Sequence, residues 1–120
     1  MLINFSNHPS RKWDAKQLEA SSFYGAIIDI RFPKIDPEWD EEQIRCLGNQ
    51  YVKKIIDLAV NRDETVMVHV MGEMTFSQFV TRRLMKAGLR CIASTTERDV
   101  EIDKSMKISE FSFVRFRDYI

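Results

Sequence analysis

The sequence predicts a single-domain α/β fold of three layers: a mostly parallel sheet in the order 2-1-3-4, helices on both faces, and a C-terminal antiparallel hairpin strand. Three observations predict it. Short apolar runs beginning at Leu2, Gly25, Thr65 and Leu89 read as strands buried on both faces. The segments between them carry helical signals and are long enough for right-handed crossovers. Beyond Arg98 the pattern changes to strict alternation about a turn at Asp103-Lys104-Ser105, as a hairpin requires.

Each element follows from its residues. Leu2–Phe5 is a central strand, closed by the turn formers Ser6-Asn7-His8-Pro9-Ser10. Asp14 and Gln17 have the spacing of a capping box for a short helix, with Leu18 on its apolar face. Gly25–Ile30 is the second strand. Asp36 before Pro37 is suited to cap the next helix, with proline at its first position. Glu38, Asp40, Glu41 and Glu42 then favour the positive end of the helix dipole, which accounts for this acidic cluster without a metal. Ile44, Leu47, Tyr51, Val52, Ile55, Leu58 and Ala59 recur at helical spacing to about Asn61.

The third run, Thr65–Met71, leads through Gly72-Glu73 into a helix ending near Ala87. Thr75 and Gln78 fit a capping box there, and Met74 and Phe79 the matching hydrophobic staple. Gly88 supplies the left-handed C-terminal residue. Leu89–Ser94 is the fourth strand, with Thr95-Thr96-Glu97-Arg98 as its loop. On the last strand Phe111, Phe113, Arg115, Arg117 and Tyr119 alternate onto one face. They read either as a base-stacking platform or as an aromatic contact with snorkelling arginines.

Composition narrows the function. A chain of 120 residues with 44% hydrophobic residues makes one ordinary domain, residues 1–120. Zero net charge argues against general DNA or RNA binding but leaves room for a small anionic ligand. Cys46 and Cys91 fall inside predicted elements, no Cys/His set has zinc spacing, and no apolar run approaches a membrane span. The start Met1–Phe5 lacks the pattern of a secretory signal. A cytoplasmic protein with free thiols, no metal and no cofactor is expected. Neither GxGxxG nor GxxxxGK[ST] is present, which disfavours the usual dinucleotide and triphosphate sites.

With strand one between strands two and three, the switch point of the sheet lies between strands one and three. It gathers Ser6-Asn7-His8, Gly72-Glu73-Met74-Thr75 and, one strand further along, Ser94–Arg98. Gly72-Glu73 can present backbone N–H groups to an anion, or Gly72 can serve the turn alone.

Phe5-Ser6 with His8, Gly72-Glu73-Met74-Thr75-Phe76, Ala93-Ser94-Thr95-Thr96-Glu97-Arg98 and Phe113–Tyr119 together resemble the small stand-alone CRISPR-associated proteins of type III systems. Those have a Rossmann-like fold related to the cyclic-oligoadenylate-sensing CARF domains. The resemblance spans the chain ends and the second half; Asn7 between Ser6 and His8 departs from the simplest pattern.

The resemblance implies binding of a cyclic oligoadenylate, cyclic tetra-adenylate first, by a homodimer with two copies of the loops around one ring. It also implies metal-independent ring cleavage, in which a ribose 2′-hydroxyl attacks the adjacent phosphate and leaves a 2′,3′-cyclic phosphate. A non-catalytic sensor and a small dimeric protein-binding scaffold are the alternatives.

His8 is the preferred acid/base residue, since histidine titrates near neutral pH. Glu73 is either a second base or a solvated turn carboxylate. Backbone N–H groups from Gly72 through Met74 to Thr75 and the Arg98 guanidinium are candidate phosphate donors, and Arg98 has the alternative of an ion pair with Glu97 or Asp99. Ser6, Asn7, Thr75, Thr95 and Thr96 are candidates to position ribose and phosphate. His69, inside the third strand, reads as a hydrogen-bonded core histidine.

Overall fold

The computed structural model describes the backbone of residues 1–103 and 106–120, and the side chains of residues 1–98 and 111–120. Strands β1 (Leu2–Ser6), β2 (Ile27–Arg31), β3 (Met67–Met71), β4 (Arg90–Asp103) and β5 (Met106–Asp118) form one sheet ordered β2-β1-β3-β4-β5. β1 pairs in parallel with β2 and β3, and β3 with β4, while β4 and β5 are antiparallel. The expected order and the antiparallel edge strand are both present. The Lys104-Ser105 part of the expected turn lies outside the described residues.

Helices α1 (Ala15–Ser21), α2 (Glu41–Val60) and α3 (Met74–Lys86) complete the three layers. Alternation along each strand sorts its side chains onto two faces. Ile3, Phe5, Val68, Val70 and Cys91 form one core with Val52 and Ile55 of α2 and Phe76, Val80 and Leu84 of α3. Leu2, Met67 and Ile92 form a second core on the opposite face, together with Phe113 and Phe116 of β5 and Trp13 from the loop before α1. Gly88 has φ 90°, the left-handed turn expected after α3.

Several local expectations are corrected, each for a hydrogen-bonding reason. α2 begins at Glu41, not at Pro37. Asp40 accepts from the Gln43 N–H (3.1 Å) and Gln43 accepts from the Asp40 N–H (3.0 Å), so a reciprocal box satisfies two donors. Asp36 closes only a local turn onto the Glu38 N–H. α3 is capped by Glu73 rather than Thr75, because the longer carboxylate reaches the N–H groups of both Thr75 (3.2 Å) and Phe76 (2.8 Å). Met74, expected as half of a staple, is 77% exposed. In α1 Asp14 does cap Gln17, but the buried residues are Gln17 and Ser21, and Leu18 is exposed.

The last two strands depart most from expectation. Thr95–Arg98 is strand rather than loop, since β5 offers it a continuous antiparallel partner. Thr95 opposes Arg115 while Thr96 opposes Phe113, so β5 carries a bulge around Val114. The extra residue inverts the alternation. Phe113 and Phe116 both enter the core, and the face expected to run from Phe111 to Tyr119 is split. The Thr95 hydroxyl clasps the bulge, donating to the Arg115 carbonyl (3.1 Å) and accepting from its N–H (3.2 Å).

Candidate functional site

The carboxyl ends of β1 and β3 and the middle of β4 open into a cavity of about 550 Å³ whose lining includes Asn7, His8, Lys12, His69, Ser94 and Thr96. Asp14, Gln17, Met71, Phe111 and Phe113 complete its walls. A volume of this size suits a small ligand. The strand register builds its floor. Asn4 sits beside Asp29 on one side and His69 on the other, and Ser94 lies two residues beyond Ile92, the partner of His69. One polar residue from each of four apolar strands therefore falls on the same face, Asp29, Asn4 and His69 in one transverse row and Ser94 one side-chain step further along β4.

These residues are hydrogen-bonded end to end. Asn4 Nδ2 donates to Asp29 Oδ1 (2.7 Å) and to the His8 carbonyl (3.1 Å). Asn4 Oδ1 accepts from the Ser6 hydroxyl (2.8 Å) and lies 2.8 Å from His69 Nδ1. His69 Nε2 lies 2.6 Å from Ser94 Oγ, which also accepts from Gln17 Nε2 (3.0 Å). Asp29 accepts in addition from the Ser10 hydroxyl (2.6 Å) and N–H (3.1 Å). Burial pushes the Asp29 carboxyl up, but the Ser10 and Asn4 hydrogen bonds and the Arg11 charge outweigh it, and its pKa falls below the ordinary value.

His69 is the core histidine expected, 2% exposed and bonded at both ring nitrogens. Trp13 and Phe116 meet its ring edge-on, each with centroids 5.5 Å away. Burial drives its pKa down to about 4, with the neighbouring His8 charge adding to the shift. The imidazole is therefore neutral at pH 7. Asn4, Gln17, Lys12 and Ser94 were not singled out as site residues in the sequence. Ser94 stood there only as the first residue of the loop beside the switch point, and Asn4 as a polar residue interrupting an apolar strand.

The residues singled out in the sequence divide into two groups. Asn7, His8 and Thr96 line the cavity, and His8 and Asn7 are exposed. The structure gives the His8 imidazole no hydrogen bond among the described residues, while its carbonyl accepts from Asn4, Ser6 and Trp13 and locks the loop. Ser6 is buried, with its hydroxyl engaged by Asn4 and by the His8 backbone. Thr95 is committed to the bulge. Arg98 stands with its guanidinium 5.9 Å from the Phe111 ring centroid.

The β3–α3 turn lies apart from this cavity. Gly72 is required by packing, because a Cβ there would run into the Phe32 ring. The Glu73 carboxylate already occupies the start of α3, taking the Thr75 and Phe76 N–H groups and the Thr75 hydroxyl. Burial raises its pKa, those hydrogen bonds together lower it by more, and the net shift is downward. The turn's expected anion seat thus has an internal occupant at Thr75 and Phe76. Met74 and Gly72 instead line a groove of about 610 Å³ along α3 with Thr81, Met85 and Ile120.

Among the described residues, no helix is long and apolar enough to cross a membrane. Cys46 and Cys91 are both free thiols, and burial pushes the Cys91 thiol up to about 12, which leaves it unreactive. No curated protein and no solved structure matches the chain. Residues 1–117 match the model of the Uncharacterized protein MJ1673 family, and the chain belongs to that family.

Proposed function

We propose that the protein binds a cyclic oligoadenylate, cyclic tetra-adenylate first, and cleaves it as a CARF-like ring nuclease of a type III CRISPR system in the cytoplasm. The observation that carries this reading is the cavity at the carboxyl edge. It combines cationic and acid/base groups (His8, Lys12), hydroxyl and amide groups fitted to ribose (Asn7, Ser94, Thr96), and aromatic walls (Phe111, Phe113). Phosphate, sugar and base each have a matching partner there. Asp14 opposes the phosphate, but its two oxygens are engaged by the Gln17 N–H and the Phe113 N–H. From the segments carrying the family resemblance, His8, Ser94, Thr96 and Phe113 line this cavity.

Cleavage in this reading needs no metal. The cavity holds the 2′-hydroxyl in line with its phosphate, cations stabilise the developing charge, and His8 exchanges a proton. Glu73 keeps its place as the α3 cap and is the next residue to test. The expected result is tight binding of labelled cyclic tetra-adenylate, then conversion to linear products with 2′,3′-cyclic phosphate ends in the presence of EDTA. Binding without conversion supports the sensor reading instead, and absence of binding leaves the scaffold.

The same reading includes a twofold homodimer, with one ring shared between two cavities. The groove along α3 supports it, because Met74, Met85 and Ile120 are exposed apolar side chains along it, with Met74 at the carboxyl edge and Met85 and Ile120 toward the far end of the helix. Light scattering is expected to give about twice the chain mass of 14.1 kDa, with or without ligand. A monomer that binds a whole ring with full affinity would refute the shared site.

A further inference from the structure

The proton positions in the row Asp29–Asn4–His69–Ser94 are determined by chemistry. A carboxylate only accepts, so the Asn4 amide must turn its NH₂ to Asp29 and its oxygen to Ser6 and His69. An amide oxygen also only accepts, so His69 carries its proton on Nδ1. The neutral ring then has a bare lone pair on Nε2, and the Ser94 hydroxyl must donate to it across 2.6 Å. Ser94 Oγ has two acceptor positions, and Gln17 takes one. The remaining one calls for a donor, and Ser94 lines the cavity beside His8 and Lys12. A hydroxyl group of a ligand satisfies it; a phosphate oxygen does not.

We infer that Ser94 is the catalytic residue that accepts the proton of an attacking ribose 2′-hydroxyl and hands its own proton to His69, with Asn4 and Asp29 as positioning residues behind it. This inference rests on the nucleotide-cleavage reading above. The 2′-oxygen forms a bond to the adjacent phosphorus and the P–O5′ bond breaks. The 2′ proton moves to Ser94 Oγ as the Ser94 proton moves to His69 Nε2, and the departing O5′ takes a proton from the His8 imidazolium. Proton return from His69 to His8 through water restores both groups. The order nucleophile-activating hydroxyl, imidazole, orienting amide is the logic by which a weak acid is activated by a base held in one tautomer. The edge contacts from Trp13 and Phe116 hold the ring in place, which a proton relay requires.

The test combines a measurement without ligand and one with it. Nitrogen NMR of the free wild-type protein at pH 7 is expected to find His69 neutral with its proton on Nδ1. In single-turnover cleavage of cyclic tetra-adenylate, Ser94→Ala and His69→Gln are expected to be slower by about 10²–10⁴-fold. Calorimetry is expected to show ring binding largely unchanged in His69→Gln and weakened by no more than about tenfold, the worth of one hydrogen bond, in Ser94→Ala. Glutamine can accept from Ser94 and donate to Asn4 but takes no proton, so its effect separates basicity from support of the fold. Ser94→Thr retains the hydroxyl and is expected to restore most of the rate. A His69 proton on Nε2 overturns the relay whatever the ligand. Wild-type cleavage rates in Ser94→Ala or His69→Gln overturn it while leaving the nuclease reading intact. Failure of the wild-type protein to cleave any ring overturns the nuclease reading and removes this step with it.

Discussion

Replacing His8 by alanine is expected to slow single-turnover cleavage of cyclic tetra-adenylate by about 10²–10⁴-fold, the usual worth of one positioned acid or base. The structure makes this a clean substitution. The His8 carbonyl, not the ring, anchors the Asn4, Ser6 and Trp13 side chains, so alanine leaves those hydrogen bonds in place. The exposed ring faces the cavity with no hydrogen bond among the described residues, and its loss costs little stability. Ring binding is expected to persist, carried by the remaining cavity groups. Rapid-quench assays at saturating protein measure the rate, and thermal melts check the fold. An unchanged rate would move the leaving-group proton to Lys12.

Acid is expected to destabilise the protein well above the range in which carboxylates titrate. His69 has its pKa at about 4 in the fold against the ordinary 6.5. Between those values the unfolded chain binds a proton that the folded chain does not, so stability falls as pH falls from about 6.5 to about 4. The shift corresponds to a loss of about 3 kcal/mol, complete below the folded value and absent above the unfolded one. His8, Lys12 and Asp14 line the cavity with this ring, and Asp29 stands behind Asn4. The lowered carboxyls of Asp29 and Glu73 add their own loss at still lower pH, toward and below their ordinary values of 3.8 and 4.5. Urea denaturation at a series of pH values measures the slope, and His69→Gln, which cannot be protonated there, is expected to flatten it between pH 6.5 and 4.5. An equal slope in that variant would assign the acid sensitivity to another group.

The fold was legible because its signals are local. Continuous apolar runs, crossover lengths and alternation after Arg98 are properties of short stretches, and together they determine the strand order and the antiparallel edge. Asp14 as a cap and Gly88 as a helix terminator are equally local. His8 and Asn7 were legible as cavity residues because a polar loop at the end of a central strand has few other places to go.

Tertiary structure decided everything that depends on competition or register. Asp36 and Asp40, and Glu73 and Thr75, are all acceptable caps by residue type; reach to two N–H groups selected Asp40 and Glu73. One extra residue near Val114 inverted the alternation of β5, because a strand's period is two and a single insertion reverses every later side chain. Asn4, Asp29, His69 and Ser94 each stand in the sequence as an isolated polar residue within or ending an apolar run. They are separated by up to 90 residues, and nothing local states that they align. Only the pairing of β2, β1, β3 and β4 brings them together on one face, where burial without hydrogen bonds would be costly and mutual satisfaction holds each in place. The sequence by itself determined the scaffold and the edge that carries the cavity; strand register, set by contacts distant in the chain, decided which side chains meet there.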